Sequence, residues 1–249
     1  MEVTPELLGA FPLLKPLPKE VLDGLAKCSS LRKFSRREIV LEASHKELST
    51  CFLFEGRLQA VDFTIDGREV GLYFVEPGGF CGELALFDTE PQTEFLIALT
   101  AAVVVFIPVK ELRRVMLETP AITNVVGGKL ASRIRQMTFQ RSLLSLPNIG
   151  QRVCCQLWTL IPEQEKSEPG ALIAGTNRND QKSSRRAIVI NNPPTHMEIA
   201  IMLNVSRETV TRVFQSLQNR QIVRRDGPMK LIVDRLDALK KFADGSEVL

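Results

Sequence analysis

The run of residues from 195 to 217 constrains this chain most, because it predicts two helices joined by a tight turn. A capping box opens the first helix: the Thr195 hydroxyl accepts from the N–H of Glu198, whose carboxylate accepts from the N–H of Thr195. Asn204 stands at the turn, since Asn tolerates a left-handed backbone better than most residues. Ser206 caps the second helix. The pattern therefore predicts a helix-turn-helix.

The second helix has an apolar face and a polar face. The apolar face follows the spacing i, i+3, i+4, i+7 and consists of Val210, Val213, Phe214 and Leu217. The polar face carries Arg207, Glu208, Thr211 and Arg212. Arg donates two hydrogen bonds to guanine and Glu accepts one from cytosine, so this face suits the reading of G·C pairs in the major groove. The alternative is an ordinary i, i+4 ion pair between Glu208 and Arg212 on a solvated helix.

A β-hairpin is predicted after the two helices. Residues 222–225 and 229–233 read as short strands around a turn at residues 226–228, which begins with Asp-Gly. Basic residues of this wing, including Lys230, are expected to contact phosphates, with solubility as the alternative. His196 is either a phosphate neighbour or a surface residue, and Thr211 contacts a base or a phosphate. The predicted DNA contacts are Thr195, His196, Ser206, Arg207, Glu208, Thr211, Arg212, Arg224 and Arg225.

Two segments resemble the Crp/Fnr (cyclic-AMP receptor protein) family of bacterial transcription regulators. Residues 206–212 resemble the family's recognition helix, and residues 78–87, which include Gly-Glu-Leu-Ala, resemble the phosphate-binding cassette of its cyclic-nucleotide-binding domain. Residues 54–58 resemble the strand and turn before that cassette. The resemblance implies an α+β fold in three parts. These are a β-roll (jelly roll) sensor at residues 1–120, a dimerisation helix at 121–147 and a winged helix-turn-helix at 148–249.

The residues themselves agree with this organisation. Short runs rich in Val, Ile, Leu and Phe between residues 31 and 106, broken by Gly and Pro turns, predict a β-roll, and residues 103–107 form the clearest buried strand. Residues 5–26 have helix-like apolar spacing, and a long helix is predicted over residues 121–146. Its a/d-like seam consists of Leu130, Ile134, Met137 and Leu144. This seam packs either on the chain's own β-roll or, as the resemblance implies, against a second copy.

The expected effector pocket departs from its family. In cyclic-AMP-binding members the Gly-Glu-Leu segment directs N–H groups at the phosphate and its Glu binds the ribose. An Arg-Ser pair that neutralises the phosphate aligns here with Thr93 and Glu94, and a Ser after the adenine-contacting Thr is replaced by Phe139. A carboxylate near a phosphate is unfavourable, so we expect that cyclic AMP in the family's usual mode is not the effector. The predicted pocket residues are Gly82, Glu83, Leu84, Ala85, Thr93, Glu94, Thr138 and Phe139.

Three explanations for that pocket stay open: it is vestigial, it holds another small molecule, or it is filled by Phe139 or another side chain. No cofactor is certain, and an unidentified small-molecule effector is allowed. A ligand-independent regulator controlled by its own abundance is the alternative. The five cysteines are scattered, which argues against an iron–sulfur sensor, and thiol redox control stays open. His45 is the lone His before residue 196, so neither a haem sensor nor a cupin-like metalloenzyme is supported. We expect no enzyme activity and no metal.

Charge and hydropathy indicate the partners. The net charge is +3, and basic residues outnumber acidic ones from residue 174 onwards while residues 1–150 are nearly balanced. The long uninterrupted apolar run of a membrane helix and the pattern of a signal peptide are both missing from the sequence, so we expect a cytoplasmic chain. The expected partners are double-stranded DNA with palindromic TGTGA-like half-sites, a second copy of the chain, and RNA polymerase, on which it acts as an activator.

A polar insertion spans residues 162–194. Residues 171–174 and 187–190 are predicted to pair as a hairpin. In family activators this region contacts RNA polymerase, so its basic residues are candidates for polymerase or flanking DNA, and a solvated loop without contacts is the alternative. These residues are Arg178, Lys182, Arg185 and Arg186.

Overall fold

The structure is a computed structural model that describes residues 2–43, 49–88, 90, 92–166 and 187–249. The chain divides into two compact units, Met1–Thr138 and Phe139–Leu249. The helices of the first unit are α1 (Pro5–Gly9), α2 (Lys19–Cys28), a 3-10 helix (Leu84–Leu86), α3 (Val109–Glu118) and most of α4 (Pro120–Ser145). Those of the second unit are α5 (Ile149–Thr159), α6 (Glu163–Lys166), α7 (His196–Leu203), α8 (Arg207–Asn219) and α9 (Leu236–Asp244).

The first unit is a β-roll, as predicted. Its strands are β1 (Ser30–Phe34), β2 (Ile39–Leu41), β3 (Ser49–Glu55), β4 (Leu58–Phe63), β5 (Glu69–Val75), β6 (Phe80–Cys81), β7 (Phe95–Ala98) and β8 (Ala102–Pro108). They form two antiparallel sheets with the orders β1-β8-β3-β6 and β2-β7-β4-β5. The predicted buried strand at 103–107 lies within β8, which pairs with β1 on one side and β3 on the other.

The β-roll encloses an apolar core between its sheets. Leu53, Leu58, Leu96 and Val104 are fully buried there, as alternating strand residues of facing sheets are. Gly56 joins β3 to β4 with φ 92°, and a Cβ on it would lie 2.3 Å from the Ala101 carbonyl oxygen. A side chain at this turn would therefore force the backbones apart, which fixes Gly at this position of the predicted strand and turn.

The N-terminal helices pack on one face of the β-roll. A second core joins side chains of α1, α2, α3, the start of α4 and the strands, among them Leu8, Phe52, Leu112 and Ile122. The helix expected over residues 5–26 is wrong as a single element. Residues 10–18 contain three prolines and form turns between α1 and α2, because Pro lacks the N–H that a helix interior needs.

Helix α4 runs 26 residues and confirms the long helix predicted at 121–146. Its first residue is Pro120, which is suited to a helix start because the missing N–H would have no intrahelical partner. Ile122 and Val126 are buried against the β-roll. Further along, Ile134 is 65% exposed and Met137 is 60% exposed, while the seam residues Leu130 and Leu144 are partly buried.

The second unit combines helices with a three-stranded antiparallel sheet. Its strands β9 (Ile188–Asn191), β10 (Val223–Arg225) and β11 (Lys230–Val233) have the order β10-β11-β9. The β10–β11 pair confirms the predicted wing. Within the described residues β9 pairs with β11. Residues 171–174, its predicted partner, lie outside the described residues, as do Arg178, Lys182, Arg185 and Arg186.

The core of the second unit lies beneath α8. It includes Leu157, Leu203, Phe214, Leu231 and Leu239, all almost fully buried. The apolar face predicted for the recognition helix therefore does hold α8 on the domain. In the part of the chain that the structure describes, no helix has both the length and the apolar character to cross a membrane.

Candidate DNA interface and sensor site

The helix-turn-helix forms as its sequence predicts. Thr195 Oγ1 accepts from the Glu198 N–H at 3.3 Å and the Glu198 carboxylate accepts from the Thr195 N–H at 3.0 Å, which completes the capping box. Asn204 ends α7 in the left-handed conformation with φ 50° and ψ 49°. Ser206 Oγ accepts from the Thr209 N–H at 3.1 Å and caps α8. Local capping interactions therefore fix where α7 begins and ends and where α8 begins.

The polar face of α8 is open to solvent. Glu208 Oε1 and Arg212 Nη2 are 2.5 Å apart, and their side chains are 72% and 74% exposed. Arg207 is exposed on the same helix. An exposed ion pair of this kind contributes little to stability, so neither side chain is held by a large folding energy. Arg207, Glu208 and Arg212 therefore present solvent-exposed hydrogen-bonding groups on this helix.

His196 and Thr211 connect the two helices. His196 Nδ1 lies 3.0 Å from Thr211 Oγ1, and its ring packs on Phe214 with centroids 4.4 Å apart. The Thr211 hydroxyl donates to the Arg207 carbonyl at 2.9 Å. Burial lowers the pKa of His196, and the charges of Arg225 and Arg207 lower it further. His196 is thus part of the domain's packing as well as of its surface.

The wing offers fewer free cations than expected. Arg224 Nε pairs with Asp234 at 3.1 Å. Arg225 donates to the Pro194 carbonyl at 3.1 Å, and burial lowers its pKa. Lys230 is exposed. Arg225 therefore has a structural role that its sequence position did not reveal. A phosphate contact by Arg225 would have to use guanidinium N–H groups other than the one that is bonded to Pro194.

The cassette in the first unit begins at a glycine in the left-handed conformation, where a side chain would not fit. Gly82 has φ 79°, and a Cβ there would lie 2.8 Å from the Ser49 carbonyl oxygen. Glu83 follows in a helical conformation and leads into the 3-10 helix, in which Leu84 is exposed and Ala85 is buried. Arg113 of α3 donates to the carbonyls of Ala85, Leu86 and Asp88 at 3.1, 2.8 and 2.8 Å. Helix α3 therefore anchors the far end of the cassette.

A buried charge cluster lies beside the cassette. Glu83 is 1% exposed and Glu94 is 6% exposed. Arg133 of α4 brings Nε to 2.8 Å from Glu83 Oε1 and Nη1 to 3.5 Å from Glu94 Oε1. The Arg133 approach to Glu83 is off the axis of a hydrogen bond, and neither Glu83 oxygen accepts one within the described residues. The Arg133–Glu83 contact is therefore chiefly electrostatic.

Neutral groups complete the cluster around Glu94. Its carboxylate accepts from the Tyr73 hydroxyl and from Gln92 Nε2, the latter at 3.0 Å. The Arg133 guanidinium carbon lies 3.5 Å from the centroid of the Tyr73 ring, a cation–π contact. Burial raises the pKa of Glu94, and the charge of Arg133 opposes that rise. The Glu94 carboxylate is therefore already bound by side chains of the same chain.

A second cation approaches the same region. Lys129, one turn before Arg133, donates to the Phe80 carbonyl and lies 3.8 Å from the centroid of the Phe80 ring. Burial lowers the pKa of Lys129, while the charge of Glu83 raises it. Two carboxylates and two cations thus oppose one another, which is the pairing that buried charges require.

The structure brings together only part of the predicted pocket. Thr93 is exposed and Phe139 is 41% exposed, and the Thr138 hydroxyl donates to the Ile134 carbonyl of its own helix at 2.9 Å. The side chain that reaches Glu83 is Arg133, which sequence reasoning missed together with Tyr73, Gln92 and Lys129. The spacing of α4 contained a clue, because Lys129 and Arg133 continue the helix face that begins with the buried Ile122 and Val126.

The cysteines do not form a reactive site. Cys51 and Cys81 are fully buried free thiols that lie opposite each other on the neighbouring strands β3 and β6. A hydrogen bond to Cys81, together with burial, raises the pKa of Cys51 well above its ordinary value. Burial raises the pKa of Cys154 to about 12. Thiols of raised pKa are poor nucleophiles. Across the described ranges no group of three or more His, Cys, Asp or Glu side chains is placed to hold a metal ion.

Comparison with known families decides the identity of both units. Residues 31–119 match the model of the cyclic nucleotide-binding domain. Residues 151–242 match the model of the Crp-like helix-turn-helix domain. The chain belongs to the Crp/Fnr family. It is therefore a transcription regulator with a helix-turn-helix DNA-binding domain and not an enzyme, as predicted.

Individual relatives agree with this family. The chain is 24% identical over 229 residues to the CRP-like cAMP-activated global transcriptional regulator of Mycobacterium tuberculosis, covering 92% of this chain and 95% of the relative. A CooA variant from Carboxydothermus hydrogenoformans has a similar fold, with a TM-score of 0.69 and 17% identity over 88% of this chain and 90% of that one. The c-di-GMP responsive regulator CLP of Xanthomonas campestris matches with a TM-score of 0.63 and 19% identity, covering 87% and 99%.

Proposed function

We propose that this regulator binds DNA as a homodimer and reads a palindromic site with TGTGA-like half-sites. The observation that carries the proposal is the open face of α8, where Arg207, Glu208 and Arg212 project from a helix that is capped at Ser206. Arg212 donates to guanine and Glu208 accepts from cytosine in the major groove. Ser206 and Thr195 place helix N-termini next to the backbone, where phosphates bind favourably. Arg224, Arg225 and Lys230 contact flanking phosphates.

The dimer forms through the seam of α4. Ile134 and Met137 are mostly exposed in the single chain, and Leu130 and Leu144 continue the same a/d-like row. Exposed apolar rows of this spacing are covered by a second helix in coiled coils. A twofold dimer also supplies two recognition helices for half-sites about one helical turn apart.

Replacing seam residues tests the dimer. The double variant Ile134→Glu with Met137→Glu places charges in the seam and is expected to give a monomer in analytical ultracentrifugation. Leu117, which is 75% exposed on α3, provides the matched control, since Leu117→Glu changes an exposed apolar residue outside the seam. An unchanged dimer in the double variant contradicts the α4 interface.

The effector site does not accept cyclic AMP in the family's usual mode. Thr93 and Glu94 stand where the family has its phosphate-binding Arg-Ser pair, and Glu94 is buried with Tyr73, Gln92 and Arg133. A cyclic phosphate placed there would face this carboxylate without solvent to screen the repulsion. The relatives respond to different ligands by name, cAMP in one and c-di-GMP in another. The effector of this chain is therefore a small molecule of other chemistry.

A regulator without any effector is the second candidate. One observation favours it: Arg133 already pairs with Glu83, the carboxylate that binds a ribose in cyclic-AMP-binding members. The chain's own side chain then holds α4 to the cassette. Such a protein is controlled by its abundance and binds DNA equally with and without small molecules.

Selection from a randomised DNA pool tests the proposed reading of bases and the exclusion of cyclic AMP. The pool is incubated with the full chain alone and with cyclic AMP, cyclic GMP or c-di-GMP, and the recovered sequences are compared. We expect a twofold symmetric site in the absence of cyclic AMP and no change when it is added. Recovery without sequence preference contradicts the proposed reading of bases, and a site that appears only with cyclic AMP contradicts the effector proposal.

Activation through RNA polymerase completes the proposal, with the cytoplasm as the place of action. The basic residues of the insertion at residues 162–194 are the proposed polymerase contact. Deleting residues 177–184 is expected to lower transcription from a promoter carrying the selected site while DNA affinity is retained. No change in either quantity rules this contact out.

A further inference from the structure

His196 sits where the two helices of the DNA interface meet. It is the first residue of α7, and its ring lies against Phe214 of α8 with centroids 4.4 Å apart. Its Nδ1 is 3.0 Å from the hydroxyl oxygen of Thr211, which projects from α8 one turn after Arg207. The imidazole therefore contacts both the start of one helix and the exposed face of the other.

Both hydrogen bonds of Thr211 can form together only when Nδ1 of His196 carries a hydrogen. The Thr211 hydroxyl has one proton, which it donates to the Arg207 carbonyl at 2.9 Å. Its oxygen can then only accept from His196, so Nδ1 carries a hydrogen. A neutral imidazole with this tautomer has a lone pair on Nε2. Thr211 has no proton left for a phosphate, and it acts as a positioning residue for His196 and the first turn of α8.

Positive charges surround the ring. Arg207 of α8 and Arg225 of β10 both lower the pKa of His196, and burial lowers it most. Glu198 of α7 carries the opposite charge, but its carboxylate accepts from the Thr195 N–H in the capping box and its charge acts on Arg225, whose pKa it raises. The N-terminus of α7 adds a positive dipole end next to the ring. In the free protein the imidazolium form is therefore disfavoured.

We propose that His196 is a proton-linked contact to the DNA backbone: on binding, Nε2 takes up one proton from solvent, and the resulting N–H donates a hydrogen bond to a phosphate oxygen. The inference rests on the proposed DNA interface. The phosphate supplies the negative charge that the free domain lacks at this position. Nδ1–H keeps its bond to Thr211 throughout, so proton uptake leaves α8 in place.

The linkage has a definite sign. The pKa of His196 lies below its ordinary value in the free domain and rises when a phosphate is bound, so the complex holds more protons between the two pKa values. DNA affinity therefore increases as the pH falls through that window, by at most about tenfold per pH unit for one proton. Above the pKa of the complex the dependence ends.

Binding measurements against pH test the proposal. The affinity of the full-length protein for its selected site is measured by fluorescence anisotropy from about pH 5.5 to about pH 8 at constant salt. In His196→Asn the amide nitrogen can still donate to Thr211 but does not titrate, so we expect a few-fold weaker binding and loss of the pH slope. The matched control is His45→Asn, because the chain has two His, and it should keep the wild-type slope.

Two outcomes overturn the proposal: a wild-type affinity that does not change with pH, or a slope that persists in His196→Asn. Either result leaves sequence-specific binding, and with it the proposed function, intact. Absence of specific binding at every pH contradicts the proposed function itself. The titration of His196 is also measured directly by NMR of the imidazole Cε1–H signals. The signal of His196 is the one that disappears in His196→Asn. Addition of DNA should raise the pKa of His196, whereas a purely structural role leaves it unchanged.

Discussion

Arg212 shows how one exposed residue separates folding from recognition. Its ion pair with Glu208 has both side chains about three-quarters exposed, and pairs of this kind are worth only a few tenths of a kcal/mol. The Glu208–Arg212 ion pair is therefore too weak to explain Arg212 as a stabilising residue. Bidentate contact with guanine offers several times that energy.

Arg212→Ala is expected to leave stability nearly unchanged while it weakens DNA binding by about 1–3 kcal/mol and relaxes the preference at one G·C pair. The measurement is affinity for a panel of single-base variants of the selected site, with thermal unfolding alongside. Lys240→Ala, an exposed change on α9, serves as the control. Equal weakening on all sequences would assign Arg212 to a phosphate.

Arg133 is the opposite case, a cation that the fold depends on. It is 14% exposed and pairs with two carboxylates that are more deeply buried still. Removing one partner of a buried ion cluster leaves charge without compensation, which costs about 3–5 kcal/mol.

We therefore expect Arg133→Met to destabilise the first unit by about 3–5 kcal/mol in urea unfolding. Arg135→Met is the matched control, since Arg135 is exposed on the same helix and its loss should have little effect. If both variants unfold at the wild-type urea concentration, the charge cluster does not hold α4 to the β-roll.

At the scale of elements, the helix-turn-helix was predictable because its contacts are local in the sequence. The charge cluster was not, because its residues are far apart in the sequence. The Thr195 capping box and the Asn204 turn involve residues within three or four positions of each other, so the sequence alone specifies them. Arg133 meets Glu83 across 50 positions, through the packing of α4 on strands whose register the sequence does not display. The β-roll was predictable as a class, but not which α4 side chain enters it.

The turn between α7 and α8 gives a test at this scale. Asn204 has φ 50°, and a β-branched residue there pays about 1–2 kcal/mol for the left-handed conformation. Asn204→Val should lower the stability of the second unit by that amount, measured as chemical unfolding followed by Trp158 fluorescence. Asn204→Gly, which adopts this conformation freely, should match the wild type, and equal losses in both variants would point to the side-chain amide instead.

At the scale of the molecule, the two units have separate cores and separate aromatic reporters. The chain has one Trp and one Tyr. Trp158 packs on the core of the second unit, and Tyr73 is buried in the first. Each unit can therefore be followed in the intact protein without added labels.

Leu53→Ala removes a fully buried side chain of the β-roll and should destabilise the first unit by about 2–5 kcal/mol. We expect the transition seen by Tyr73 absorbance to move to lower urea, while the Trp158 fluorescence transition stays in place. A joint shift of both transitions would show that the two units unfold as one cooperative body.

The distribution of cysteines makes the order of opening measurable as well. Cys28 is exposed and Cys155 is partly buried, whereas Cys51 and Cys81 are buried in the β-roll and Cys154 is buried under the DNA-binding helices. A thiol reagent should modify Cys28 and Cys155 first, and should reach Cys51, Cys81 and Cys154 only when their own unit opens. The sites and rates of modification, measured by mass spectrometry on the unaltered chain, therefore show which of the two units opens first.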